Sequence, residues 1–284
     1  MNMKKLKGLF KFGGSSDFGK LTPLVSVIGI LFLIGLWWLE AKFEVIPTKI
    51  LPGPFDVLGS YPGLITENSL FGNLWFTVKL NLLAYFWAIL ISLVVGFALS
   101  LIPFLNLALG KYLSALRYTP LPSISGVFIA VAGLTFGMKV SFLAAGLIIF
   151  ILPAVAAKVN ELQNPTNDSN IYLETMETLG GTSWQKFRYV YFPYVTSTVS
   201  QEIITLTGVS YSYCVIAELL YKSGEGINGV GSLINTLIRQ SHMPEAWACL
   251  FLIIAVGVLQ DFLFKKLDIA LFPFKYNKKS IWRK

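Results

Sequence analysis

Residues 80 to 110 read LNLLAYFWAILISLVVGFALSLIPFLNLALG, without one charged side chain. A helix crosses the hydrocarbon core of a bilayer with about 20 apolar residues rising about 1.5 Å each, so this run is long enough to span. Other runs meet the same requirement. Leu21 to Leu39 supplies a first span ahead of it, and Tyr118 to Met138 and Val140 to Ala157, divided only by Lys139, supply the third and fourth. Val195 to Leu220 and Trp247 to Phe264 supply the fifth and sixth, each touched by an acidic residue only near one end. The reading is an all-α membrane protein with about six transmembrane helices.

Composition agrees. Of 284 residues, 55% are hydrophobic and 13% charged, about half the charge of a soluble domain, and the apolar residues are grouped as lipid requires. The net charge of +8 has its sources near the chain ends: Lys4, Lys5, Lys7, Lys11 and Lys20 before the first span, then Lys265, Lys266, Lys275, Lys278, Lys279, Arg283 and Lys284 after the last. Positive residues are retained on the cytoplasmic side, so both ends are expected inside and the crossings even in number. The expected organisation is a cytoplasmic segment 1–20, a single transmembrane domain 21–272 and a basic cytoplasmic tail 273–284. The excess charge is a sidedness signal with some attraction to anionic headgroups. No basic stripe interleaved with stacking aromatics suggests nucleic acid. Leu36-Trp37-Trp38-Leu39-Glu40 offers no small-residue cleavage site, so the first span is read as retained, with Trp37 and Trp38 at the outer interface.

Few residues suit chemistry. Cys214 and Cys249 fall inside spans five and six and are expected as buried thiols, with no disulfide framework or metal spacing. His242 is the single histidine, lies in an outer connection and receives no role. A membrane-embedded enzyme would need His, Asp, Glu or Cys converging from facing spans. Gly14-Ser15-Ser16-Asp17-Phe18-Gly19-Lys20-Leu21 comes within one residue of a phosphate-binding loop. Leu21 stands where the Mg²⁺-holding hydroxyl belongs, no strand precedes it and a membrane span follows. This chain is therefore expected to bind no cofactor and to hydrolyse no ATP. An ion-coupled secondary transporter working alone is the alternative to a subunit of a larger machine. It would show broken helices or paired charges at mid-depth within an internal repeat, and the sequence displays neither.

The connections carry more information. Residues 40 to 75 form an outer link with the turn-rich Leu51-Pro52-Gly53-Pro54. From Lys222 to Glu245 the chain is Gly-rich, then apolar through Leu233, Ile234, Leu237 and Ile238, which suits a short helix along the outer face. The cytoplasmic link, about 160–193, is too long for a turn and too apolar for a solvated loop. After the polar Asn164 to Asn170, Leu173, Met176 and Leu179 share one helix face. Gly180-Gly181 stops that helix, and Thr182 or Ser183 can cap a second one carrying Trp184, Lys186, Phe187 and Tyr191. Such a helix, break and helix is either a docking surface or an amphipathic hairpin lying in the headgroups.

This link resembles the EAA motif of the permeases of binding-protein-dependent ABC importers: a glutamate, Gly six residues on, and a Leu-Pro-like pair about twelve further. Here it reads Glu174-Thr175-Met176-Glu177-Thr178-Leu179-Gly180-Gly181, then Val190, Phe192 and Pro193. Thr175 and Met176 replace the alanine pair, and Phe192 replaces the leucine before proline. The six-span layout, Leu51-Pro52-Gly53-Pro54 and Ala217-Glu218-Leu219 look like the nitrate/sulfonate/taurine branch. The resemblance implies a type I ABC importer permease architecture in the bacterial inner membrane, pairing as a dimer, with a homodimer expected. Glu174, Thr175, Met176, Leu179, Gly180, Gly181, Trp184 and Pro193 would couple to cytoplasmic ATPase subunits that hold ATP and Mg²⁺. A substrate-binding protein would dock outside. The branch suggests a small oxyanion or organic sulfonate, and it also includes carriers of cationic and heterocyclic solutes.

Span five is the most polar crossing, with Ser200, Gln201, Glu202, Thr205 and Ser210 as candidates for a solute path; hydrogen bonding between helices is the other reading of its hydroxyls. Glu202 and Glu218 each need a cation, a solvent layer or a partner chain near a span end. Lys79 and Lys139 are expected at the outer boundary, without function.

Overall fold

The structure, a computed structural model, describes residues 21–133, 135–220 and 227–276, and among these every regular element is helical. The phosphate-loop-like Gly14–Leu21 motif, the N-terminal lysines, Ser223-Gly224-Glu225-Gly226 and the tail beyond Tyr276 lie wholly or mainly outside the described residues. Among the described residues four helices are long and apolar enough to cross a membrane, at Leu24–Phe43, Leu70–Leu101, Phe136–Gln163 and Met243–Leu271.

Helix α1 (Leu21–Phe43) turns most of its apolar side chains from Leu24 onward outward, as lipid contact permits. Trp37 points back: its indole N–H donates to Pro52 O at 3.0 Å and its ring lies 5.4 Å from that of Phe251. Two short helices, α2 (Pro54–Gly59) and α3 (Tyr61–Thr66), each open on a proline in the first turn, where the missing N–H costs nothing.

Helix α4 (Leu70–Leu101) corrects the second span. It begins ten residues before Leu80 and stops at Ile102, which is extended at φ −89° and ψ 111° because the following Pro103 excludes the helical region there. A short α5 (Pro103–Leu109) follows. The expected third span, Tyr118 to Met138, is not one helix. Two 3₁₀ segments, Gly110–Tyr118 and Leu121–Ile124, and a single eight-residue α6 (Ser125–Ala132) replace it. Pro120 and Pro122 remove two ladder donors in succession, and no α-helix continues through that. Helix α7 (Phe136–Gln163) starts on a Thr135 cap, whose hydroxyl accepts from Met138 N at 3.1 Å.

The link expected on the cytoplasmic side forms α8 (Ile171–Thr178) and α9 (Ser183–Lys186), as its spacing predicts, then a π-helical turn at Phe187–Tyr191. The fifth span is split into α10 (Phe192–Thr205) and α11 (Thr207–Leu220), a break absent from the sequence reading. Thr196, Thr198, Ser200, Thr205 and Ser212 each bond back to a carbonyl three or four residues earlier, and such back-bonding bends helices. The amphipathic α12 (Val230–Arg239) leads to α13 (Met243–Leu271) and the short α14 (Pro273–Tyr276). Leu80, Ala84 and Ala88 of α4, Leu143, Leu147 and Ile151 of α7, and Val195 and Val199 of α10 form the main core cluster.

Candidate functional site

The link from Ile171 to Tyr191 is rooted by its own apolar residues. Leu173, Val190 and Tyr191 are buried and Met176 is partly buried against the core, whereas Leu179 at the end of α8 is 77% exposed and Trp184 is 65% exposed. Leu179 therefore leaves the face predicted for it, because the chain reverses there. Gly180 has φ +72°, which L side chains seldom adopt, but a Cβ on it would meet nothing within 4 Å. The steric need lies next door: a Cβ on Gly181 would sit 2.7 Å from Met176 Cγ and 2.8 Å from Met176 O. Across the reversal Lys186 Nζ pairs with Glu177 Oε1 at 2.8 Å. Thr182 and Gln185 cap α9 reciprocally, with Thr182 N donating to Gln185 Oε1 at 2.8 Å. Glu174 accepts from Asn170 Nδ2 at 3.1 Å, Thr175 bonds back to Ile171 O at 2.6 Å, and Pro193 stands in the first turn of α10.

An aromatic chain ties this link to the bundle. Trp184 stacks on Phe187 at 5.6 Å, and Phe187 meets Phe97 of α4 edge-on at 5.2 Å. At the end of α7, Glu161 binds Lys158 Nζ at 2.6 Å and accepts from Tyr194 OH of α10 at 2.8 Å. The sequence reading gave these three residues no part. Their 158, 161 and 194 positions become neighbours only when α7 and α10 pack.

The path candidates separate into two groups. Gln201, Glu202 and Thr205 are exposed on one face of α10, and exposed Gly208 and Ser212 prolong that face on α11. Glu202 finds a cation, with Arg117 Nη2 at 3.9 Å. Thr205, Gly208 and Ser212 line a groove of about 540 Å³ with Asp261 and apolar residues of α13. The other two candidates turn inward. Ser210 is fully buried and its hydroxyl accepts from Asn81 Nδ2 at 2.9 Å. Ser200 receives Lys275 Nζ at 3.1 Å.

Buried polar clusters missed by sequence reasoning surround these helices. Gln260 donates to Asn81 at 3.1 Å and accepts from Tyr211 at 2.8 Å, linking α4, α11 and α13. Lys275 folds back from the expected tail onto Asp268 at 2.9 Å and onto Ser197 O at 2.9 Å. Tyr276 also donates to Asp268, whose carboxylate holds the Tyr276 hydroxyl above the usual phenol range. Lys139, expected at the outer boundary, is buried in the protein: it is 2% exposed, with its ammonium 5.0 Å from the centroid of the Phe76 ring. Lys79 is exposed. Cys214 and Cys249 are both buried free thiols, and His242 pairs on the surface with Glu245 at 3.3 Å. Among the described residues no group of three His, Cys, Asp or Glu could hold a metal. A single polar residue inside an otherwise apolar run, such as Asn81 or Gln260, was the available signal.

No protein-family model matches the chain, and no curated protein does. Among solved structures it is similar to the crystal structure of an amino acid ABC transporter with histidines. The TM-score is 0.53 and the identity 22%, over 75% of this chain and 97% of that one. The likeness is one of fold: this chain, all-helical among the described residues, shares the fold of that ABC transporter chain.

Proposed function

We propose that the chain is the membrane-spanning permease subunit of an ATP-driven importer, giving solute its path and coupling that path to a separate ATPase subunit. The observation that carries this reading is the reversal at Gly180-Gly181: a protrusion, its second helix reciprocally capped by Thr182 and Gln185, that exposes Leu179 and Trp184 while its base is buried at the foot of α10. A helix end set in a partner's cleft transmits rigid-body movement to whatever it is rooted in. Here that is a helix carrying a polar face, with a break above it.

In this reading ATP and Mg²⁺ are held by the cytoplasmic partner, and its nucleotide state biases two packings of the spans. The exposed Gln201, Glu202 and Thr205 need protein or water rather than lipid around them, which a second permease subunit, a homodimer partner, would supply. A substrate-binding protein would deliver solute from outside, and the membrane is the bacterial inner membrane with both chain ends cytoplasmic. Nitrate, sulfonate or taurine as solute rests on the branch resemblance alone. Tagged chain purified from its source membranes should carry a stoichiometric ATPase, and Trp184→Ala with Leu179→Ala should lose it while still inserting. Recovery of the chain free of any ATPase, with solute uptake in liposomes needing no nucleotide, would defeat the proposal.

A further inference from the structure

Glu218 is fully buried near the end of α11, and both of its carboxylate oxygens are used. Oε1 accepts from Thr77 Oγ1 at 2.6 Å, and Oε2 accepts from the backbone N–H of Gly231 at 2.6 Å. Thr77 Oγ1 in turn accepts from Val230 N at 2.9 Å, and Asn73 Oδ1 accepts from Asn228 N and Gly229 N at 3.0 Å each. The N–H groups of residues 228 to 231, which open α12, are thus satisfied by side chains of α4 and α11. A helix start carries partial positive charge, and a carboxylate lies against it. Gly229 is obligatory here: its φ is +101°, and a Cβ would overlap the Glu218 carboxylate.

The charge has a counterpart. The Lys139 ammonium is buried, has no hydrogen-bond partner among the described residues and interacts electrostatically with Glu218. We propose that Glu218 is the positioning residue that docks α12 onto the bundle, with Lys139 as its counter-charge, so that α4, α11 and α12 move as one body. Thr77 and Phe97 lie on one helix, and the 20 residues between them rise about 30 Å. The clamp at Thr77 and the coupling link at Phe97 therefore occupy opposite ends of α4. The clamp itself does not depend on the permease reading. Its consequence, that displacement of α12 is felt at the coupling link, does rest on it.

Glu218→Gln tests the clamp, because it removes the charge and one of the two acceptor oxygens that hold Thr77 Oγ1 and Gly231 N, so that keeping the bond to Gly231 leaves Thr77 Oγ1 only the carbonyl of Asn73 in its own helix, at 3.1 Å, as acceptor. Spin labels on Lys79→Cys and Arg239→Cys, in a Cys214→Ala, Cys249→Ala background, report the α4–α12 distance. A control pair on Lys79→Cys and Ser141→Cys reports α4–α7. Glu218→Gln is expected to broaden the first distribution at least about twofold and leave the second unchanged. Thr77→Val, which removes the same link without touching a charge, should do likewise and serves if Glu218→Gln fails to insert. Unchanged α12 distances in either folded variant would overturn the clamp, and so would equal broadening of both pairs, which signals general loosening. Neither readout involves ATP or solute, so a failed clamp and a failed permease reading remain distinguishable.

Discussion

At Gly180 and Gly181 two adjacent residues of one type answer different demands, and substitution separates them. Gly180 is needed for its positive φ, so alanine there should cost about 1–2 kcal/mol locally and meet no neighbour. Gly181 is needed for space, since any side chain collides with Met176 and its carbonyl. Gly181→Val is expected to lower ATP-driven uptake by the reconstituted complex more than tenfold, while Gly180→Ala keeps most of it. Both should insert normally, as judged by membrane fractionation. Equal activity of the two would remove the role given to Met176. The buried amides offer a second residue-scale test. In lipid, apolar burial does not drive helices together, and interhelical hydrogen bonds average about 0.6 kcal/mol. Gln260→Leu removes two of them, from Asn81 and Tyr211. It should destabilise the bundle by about 1 kcal/mol or more in detergent unfolding, because Asn81 is left with an unsatisfied acceptor.

At the level of elements, the caps of α9 and the ion pair beside it should differ in weight. Thr182→Ala removes the capping box at a cost of about 1 kcal/mol. Lys186→Ala breaks a partly exposed pair with Glu177 worth about 0.2–1 kcal/mol at most. Amide exchange in residues 183 to 186 should accelerate several-fold in the first variant and little in the second. The same elements mark how far the sequence could be read. The cap at Thr182, the stop at Gly180-Gly181 and the outer helix at Leu233 to Ile238 were legible because capping and periodicity are local. The third span was misjudged because apolar length was weighed above Pro120 and Pro122, which break the ladder wherever they fall. The split at Leu206 follows from serines and threonines bonding their own backbone, which a count of apolar residues does not register. Of the site, the protruding link was legible, while the Asn73, Thr77, Glu218 and Lys139 cluster was not. Those four residues lie on α4, α7 and α11, and only packing makes them a group.

For the whole molecule, the test is whether the coupling link and the α12 clamp lie on opposite sides of a membrane. The geometry sets them about 30 Å apart along α4, the thickness of a hydrocarbon core, and in the proposed reading the link faces the cytoplasm. Thr182 and His242 are exposed near these two ends, so Thr182→Cys and His242→Cys can be probed singly after both native thiols are replaced. An impermeant maleimide added to intact cells lacking an outer membrane barrier should label His242→Cys at least about tenfold faster than Thr182→Cys, and inverted vesicles should reverse the order. If both positions label from one side, α10 and α11, which lie between them, do not together cross the membrane, and a link reaching a cytoplasmic ATPase could not sit opposite an outer docking helix.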